Sequence, residues 1–257
     1  MEDHSGNLPS PEPNDPRLGG PANEPFFNLP GVITLALALM VLIEVAKQFL
    51  PGAVMEAFIL EAAFIPARYG ADGTAVDGAW IWSPLTYSLL HGGWLHLIVN
   101  GFWLAAFGSI VARRIGLLRF VMFWIASAVA AAAFFGLFHL DEFVIMVGAS
   151  GVVSALMGAA VRFAFPRYGG FSRADAHLNA RLSIGDALSN RTVFTFLAVW
   201  FGINILAAFG LAPGAGGTAI AWEAHVGGLL FGFFAFPLFD PLPRGGRPEM
   251  PNFYQWS

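Results

Sequence analysis

Gly148-Ala149-Ser150-Gly151-Val152-Val153-Ser154-Ala155-Leu156-Met157-Gly158 is the stretch that decides the reading of this chain. It sets a hydroxyl, Ser150, at the head of an apolar segment built largely from small residues. Two other apolar segments carry polar groups near their heads. One opens with His91-Gly92-Gly93-Trp94-Leu95-His96-Leu97-Ile98-Val99-Asn100, and another contains Ala224-His225-Val226-Gly227-Gly228. A hydroxyl, two imidazoles and an amide are costly inside hydrocarbon-length segments unless they have work to do there. As a set they supply what serine-based acyl transfer needs: a nucleophile, a base and oxyanion donors.

The composition fits a membrane protein. Of 257 residues, 56% are hydrophobic and only 12% charged, against about 25% charged in a soluble domain. The mean hydropathy is +0.64. About 20 mostly apolar residues span a bilayer, and six segments qualify, at about 32–50, 93–111, 117–139, 149–165, 193–211 and 219–239. The fold expected is an all-α bundle of six transmembrane helices. The fourth segment is short, and it fits if Phe143-Val144-Ile145-Met146-Val147 dips back into the membrane before the helix begins. Residues 1–30 are rich in Pro, Asn, Asp and Gly and read as a disordered tail; 241–257 read as a second tail, leaving 31–240 as the folded domain. With no cysteine, disulfides and thiolate chemistry are excluded. No basic patch with interleaved aromatics points to nucleic acid.

Arginine placement gives an orientation. Arg113, Arg114 and Arg119 follow the second segment, and Arg162, Arg167, Arg173, Arg181 and Arg191 lie around the link after the fourth. Arg244 and Arg247 follow the sixth, Arg17 precedes the first, and the opposite loops hold only Lys47 and Arg68. The positive-inside rule then puts both termini in the cytoplasm. Segments two, four and six start on the outer side. At 1.5 Å per helical residue, His225 lies roughly 10 Å and Asn100 about 12 Å below the start of its helix. One site below the outer surface is the economical reading.

Ser150 needs a base within hydrogen-bond reach, and His225 is the candidate. Glu223 is two residues earlier and faces another side of the helix, so the pattern reads as a Ser/His dyad rather than a triad. His96 and Asn100, spaced i, i+4, share a face and can donate to an oxyanion beside the Ser150 N–H; interhelical hydrogen bonding is the alternative reading. Gly228 and Gly232, like Gly151, Ala155 and Ala159, form small-xxx-small seams that serve helix packing, and close packing is compatible with catalysis. Asn204 reads as a packing polar group. Glu44 and Lys47 read as an i, i+3 pair, and His91 as a tie for the first loop. Trp80-Ile81-Trp82 suggests an interfacial element. The Gly-rich 212–218 stretch is either a mobile lid or an ordinary connector. His-Glu-x-x-His is absent, as is any Asp inside the six segments, which leaves no pattern for a zinc or aspartyl intramembrane protease.

The three motifs, His91-x4-His96-x3-Asn100, Gly148-Ala149-Ser150-Gly151 and Ala224-His225-x2-Gly228-x3-Gly232, resemble those of the rhomboid family of intramembrane serine proteases. The resemblance covers about residues 30–240. It implies Ser150 as nucleophile, His225 as base, and His96, Asn100 and the Ser150 N–H as the oxyanion hole. It further implies membrane-protein substrates, single-pass or polytopic, cleaved in or near transmembrane segments within the lipid bilayer, with no cofactor and no metal. Three positions depart from the family pattern. Ser83 follows Trp82 where the family often has Arg. Ala112 stands for a common Glu. Ser154 stands where an aromatic often packs beneath the catalytic imidazole. Compact architecture and no visible transit peptide suggest a bacterial inner membrane. A non-catalytic rhomboid-like client binder is the main alternative, although such relatives typically lack the serine or histidine; a small transporter would call for charges along a path.

Overall fold

A computed structural model describes residues 29–70, 78–165, 176–211 and 221–241. The two tails, and the 212–218 stretch read as a lid or connector, lie outside the described residues, apart from Leu29, Pro30 and Pro241 at the tails' edges. The described residues are helical and contain no strand beyond an isolated antiparallel bridge between Phe64 and Met146. The helices are α1 (Gly31–Ala46), α2 (Gly52–Ala62), α3 (Ala79–Thr86), α4 (Trp94–Trp103), α5 (Ser109–His139), α6 (Ser150–Ala160), α7 (Ile184–Ser189), α8 (Arg191–Ala208) and α9 (Trp222–Ala235).

Each of the six apolar segments holds a helix. The second and third are joined without a loop: a π turn, Leu104–Gly108, runs α4 into α5, and the chain turns at Gly116, whose φ of 75° is outside the usual range of L side chains. Among the described residues, Trp94–His139 and Arg191–Ala208 are the two helical stretches long and apolar enough to cross a membrane by themselves. Gly31–Ala46 and Ser150–Ala160 are apolar but shorter. Leu35 and Leu42 on α1, Leu95, Ile98 and Phe102 on α4, and Phe194, Val199 and Ile203 on α8 are all exposed. A stable soluble protein does not leave so much large apolar surface in water; lipid is its natural solvent.

α6 is the axis of the bundle. Every residue from Gly151 to Ala160 is buried. Its small residues let the backbone of α9 come close. A Cβ on Gly228 would fall on the Gly151 carbonyl, one on Gly232 on the Ala155 carbonyl, and one on Gly158 on the Leu229 carbonyl. The expected seams therefore pack against each other, as small residues do where helices must approach without a hydrophobic driving force.

The segment before α6 is non-helical, as its length required. Met146 and Phe64 exchange backbone hydrogen bonds of 2.9 and 3.1 Å, and the Gly148 N–H donates to the Tyr87 carbonyl at 2.9 Å. These bonds satisfy backbone groups that lipid could not.

The first loop is anchored, although Ser83 replaces an arginine. Arg68 is buried and donates to the Ala63 and Leu60 carbonyls, and Trp82 Nε1 donates to the Glu61 carbonyl at 2.9 Å. Pro84 cannot donate to the Trp80 carbonyl one turn back, and Tyr69 Oη fills that gap at 2.6 Å. Trp80, Ile81 and Trp82 on α3 are exposed, which suits an interfacial element.

At the other end, Ala112 leaves no carboxylate, and a different pair ties the bundle. Arg114 binds Asp240 through both Nε and Nη2 at 3.0 Å, donates to the His177 and Asn179 carbonyls, and stacks on Phe163. Arg181 adds a second contact to Asp240 at 2.9 Å. α8 is capped by Asn190, whose Oδ1 accepts from the Thr192 and Val193 N–H groups.

Candidate functional site

Ser150 is the first residue of α6, after an N-cap at Ala149. The N–H groups of a helix's first turn have no partner inside the helix and point along its positive end. Among the described residues the first backbone bond of α6 runs from the Val153 N–H to the Ala149 carbonyl at 2.8 Å, and the Ser150 N–H makes none. Gly148 shapes the approach. Its φ is 127°, and a Cβ there would lie 2.8 Å from His96 Nε2 and 3.7 Å from Ser150 Oγ. His96 Nε2 and the Ser150 hydroxyl thus face one small volume that glycine keeps open.

The His96 tautomer follows from its neighbours. The Gly92 N–H donates to His96 Nδ1 at 3.3 Å, so Nδ1 is an acceptor and the ring proton sits on Nε2, facing Gly148 and Ser150. Asn100, one turn along α4, is only 4% exposed, and its Nδ2 has no partner among the described residues. A buried, unpaired amide donor costs about 1–3 kcal/mol.

His225 follows Ala224, whose carbonyl lies 3.4 Å from where a Gly151 Cβ would be. The α6–α9 seam thus brings the residues flanking Ser150 and His225 together. α9 begins at Trp222 rather than 219, so His225 lies within its first turn and a half, shallower along its helix than the sequence suggested. Ser150 Oγ makes no hydrogen bond among the described residues.

Two polar residues behave as the sequence suggested. Glu223 points away from His225 and accepts from His139 Nε2 at 3.2 Å, while Lys47 pairs with Glu44 at 2.9 Å. Lys47 Nζ also donates to the His91 carbonyl at 2.6 Å, tying α1 to the turn before α4. The His91 ring is buried, edge-on to His96 at a centroid distance of 5.1 Å. Burial, with a smaller effect from His96, pushes His91 down to about 4.

Tyr87 was not singled out by the sequence, and Asn204 was read there only as a packing polar group. Tyr87 is fully buried, its Oη donates to the Ala128 carbonyl at 3.0 Å, and its own carbonyl holds Gly148. Asn204 on α8 lies against His225, with 2.7 Å between Asn204 Oδ1 and His225 Nδ1. The signal for Asn204 was present: Val193, Trp200, Asn204 and Ala207 are the buried residues of α8, at helical spacing. Ser154, the position of the missing aromatic, makes no hydrogen bond to His225.

A family model for the Rhomboid domain matches residues 79–240, the region that carries α3 to α9 and all four predicted site residues. This chain belongs to the rhomboid family. It is similar to RHOMBOID-like protein 6, mitochondrial, of Arabidopsis thaliana, with 28% identity over 190 residues, covering 71% of this chain and 51% of that protein. The chain therefore spans about half the length of this curated relative.

Proposed function

We propose that the protein is an intramembrane serine endopeptidase that cleaves membrane-protein substrates in or near their transmembrane segments. One observation carries this reading: His96 Nε2 and Ser150 Oγ face a single volume beside Gly148, at the N-terminus of a buried helix. Ser150 attacks the scissile carbonyl. His225 takes the hydroxyl proton and later delivers it to the leaving amine. The oxyanion forms at the head of α6, held by the Ser150 N–H, His96 Nε2 and Asn100 Nδ2. Each such donor contributes about 3 kcal/mol of transition-state stabilisation.

The six apolar segments, 31–240 in all, form six crossings in this proposal, with the π turn and Gly116 joining the second and third. The arginine bias supports cytoplasmic termini and an outward-facing site. A bacterial cell membrane is the proposed location, on the compactness of the domain. Water reaches the acyl-enzyme from the outer side. Substrate helices enter between α4 and α8, as the family resemblance implies. Retention of both Ser150 and His225 favours catalysis over client binding alone.

The test is proteolysis in lipid. Protein reconstituted in liposomes with a panel of fluorescently tagged single-pass helices should cut at least one of them, and Ser150→Ala should cut none. Equal loss of intact helix with Ser150→Ala would refute the reading.

A further inference from the structure

The geometry points to Asn204 as the residue that positions His225, making the site a Ser-His-Asn arrangement rather than a bare dyad. The inference rests on the protease reading and adds a member to its machinery.

The argument is one of hydrogen-bond bookkeeping. A side-chain amide has one acceptor oxygen and one donor nitrogen. Asn204 Nδ2 donates to the Trp200 carbonyl at 2.8 Å, and a carbonyl can only accept. The amide oxygen is thereby turned toward His225, 2.7 Å from Nδ1. An oxygen without a proton can only accept, so His225 Nδ1 must carry the hydrogen. In a neutral imidazole that leaves Nε2 as a bare lone pair. A bare Nε2 is what a general base needs to receive the Ser150 proton. Asn204 is only 7% exposed, so water competes little for the bond.

The position has a second consequence for the ring. Ser154 puts no aromatic plane beneath the imidazole and offers it no hydrogen bond. Among the described residues, Asn204 is the side chain that hydrogen-bonds to His225, and this bond is the one joining α8 to α9. Groups that orient a metal-ligating histidine typically matter by about 10–100-fold when removed, and a similar scale is expected for a histidine that acts as a base. Here the orienting group is neutral, so it fixes tautomer and direction without adding a buried charge.

The experiment has two readouts. The rate of Ser150 modification by a fluorophosphonate is measured for the full chain, Asn204→Leu and Asn204→Asp, with melting temperature as a folding check. The imidazole ¹⁵N spectrum of His225 is recorded in parallel, assigned by its loss in His225→Gln. In the parent the spectrum should show a protonated Nδ1 and a bare Nε2. Asn204→Leu removes the acceptor at similar volume; it should mix the tautomers and slow labelling at least about tenfold. Asn204→Asp keeps an acceptor at the same reach and should label within a few-fold of the parent. Parental labelling by Asn204→Leu overturns the inference, as does equal loss in both variants with the tautomer unchanged. A parent spectrum with the proton on Nε2 overturns it without any variant, so a variant that fails to fold does not leave the matter open. No labelling of the parent counts against the protease reading, and the spectrum then decides the role of Asn204 by itself.

Discussion

Replacing Gly228 with alanine tests whether the α6–α9 seam sets the distance between Ser150 and His225. The added Cβ would fall on the Gly151 carbonyl oxygen, 2.9 Å from the Gly151 carbonyl carbon and 3.3 Å from its Cα. These are backbone atoms in a buried helix and cannot rotate away. Carbon atoms settle about 3.5–4.0 Å apart, so α6 and α9 must separate by about an ångström. Overpacking of this kind costs about 1–3 kcal/mol. Gly151 adjoins the serine, and Gly228 is three residues past the histidine, so the separation opens at the site itself. A 1 Å misplacement of reacting groups costs about 10²-fold in rate. Gly228→Ala should therefore melt several degrees lower in detergent and label with a fluorophosphonate about a hundred times more slowly. Gly202→Ala, where a Cβ meets nothing within 4 Å, is the control and should match the parent in rate. Gly232→Ala, whose Cβ meets the Ala155 carbonyl a turn further from the site, should lose similar stability with a smaller loss of rate. Parental labelling and melting in Gly228→Ala would refute the argument.

Asn100→Leu should separate catalysis from stability. It removes a buried donor that has no partner among the described residues; labelling should fall by about 10²-fold or more while the melting temperature holds or rises. A lower melting temperature at an unchanged rate would make Asn100 a packing residue. Arg114→Met breaks a fully buried bidentate pair with Asp240; unfolding should cost about 3 kcal/mol more in the parent than in the variant, read as a clear drop in melting temperature. For His91, the folded value of about 4 lies below the unfolded 6.5. Its neutral burial is therefore free above pH 6.5, and stability declines as pH falls from there toward 4. At pH 4.5 the loss is about 2.5 kcal/mol. His91→Phe should flatten that part of the melting-temperature profile, and an unchanged profile would remove His91 as its source.

Much of this was legible in the chain because lipid narrows the choices. Only helices satisfy their own backbone in hydrocarbon, so six apolar segments translated directly into helices. The glycine and alanine spacing at 151, 155, 228 and 232 showed which helices approach. Ser150, His225, His96 and Asn100 were visible as polar groups in apolar surroundings. Asn204 was visible in the same way, but α8 is apolar on all sides, and no polar face marked the direction in which the amide points. The role of Ser154 as an empty position could be read, but not what compensates for it, because α8 and α9 meet through tertiary packing. The anchors were hidden for a similar reason. Arg68 binds the carbonyls of Leu60 and Ala63, and Arg114 reaches Asp240 across more than a hundred residues of sequence. Counting them as loop charges gave a topology but concealed their structural work.

The most direct measurement is fluorophosphonate labelling of the purified full chain in detergent and in lipid, alongside Ser150→Ala and His225→Ala, with the modified residue located by peptide mass. The account predicts a covalent adduct on Ser150 in the parent and background signal in both variants. Background signal in a folded parent in both media, or an adduct that persists in His225→Ala at the parental rate, would contradict it.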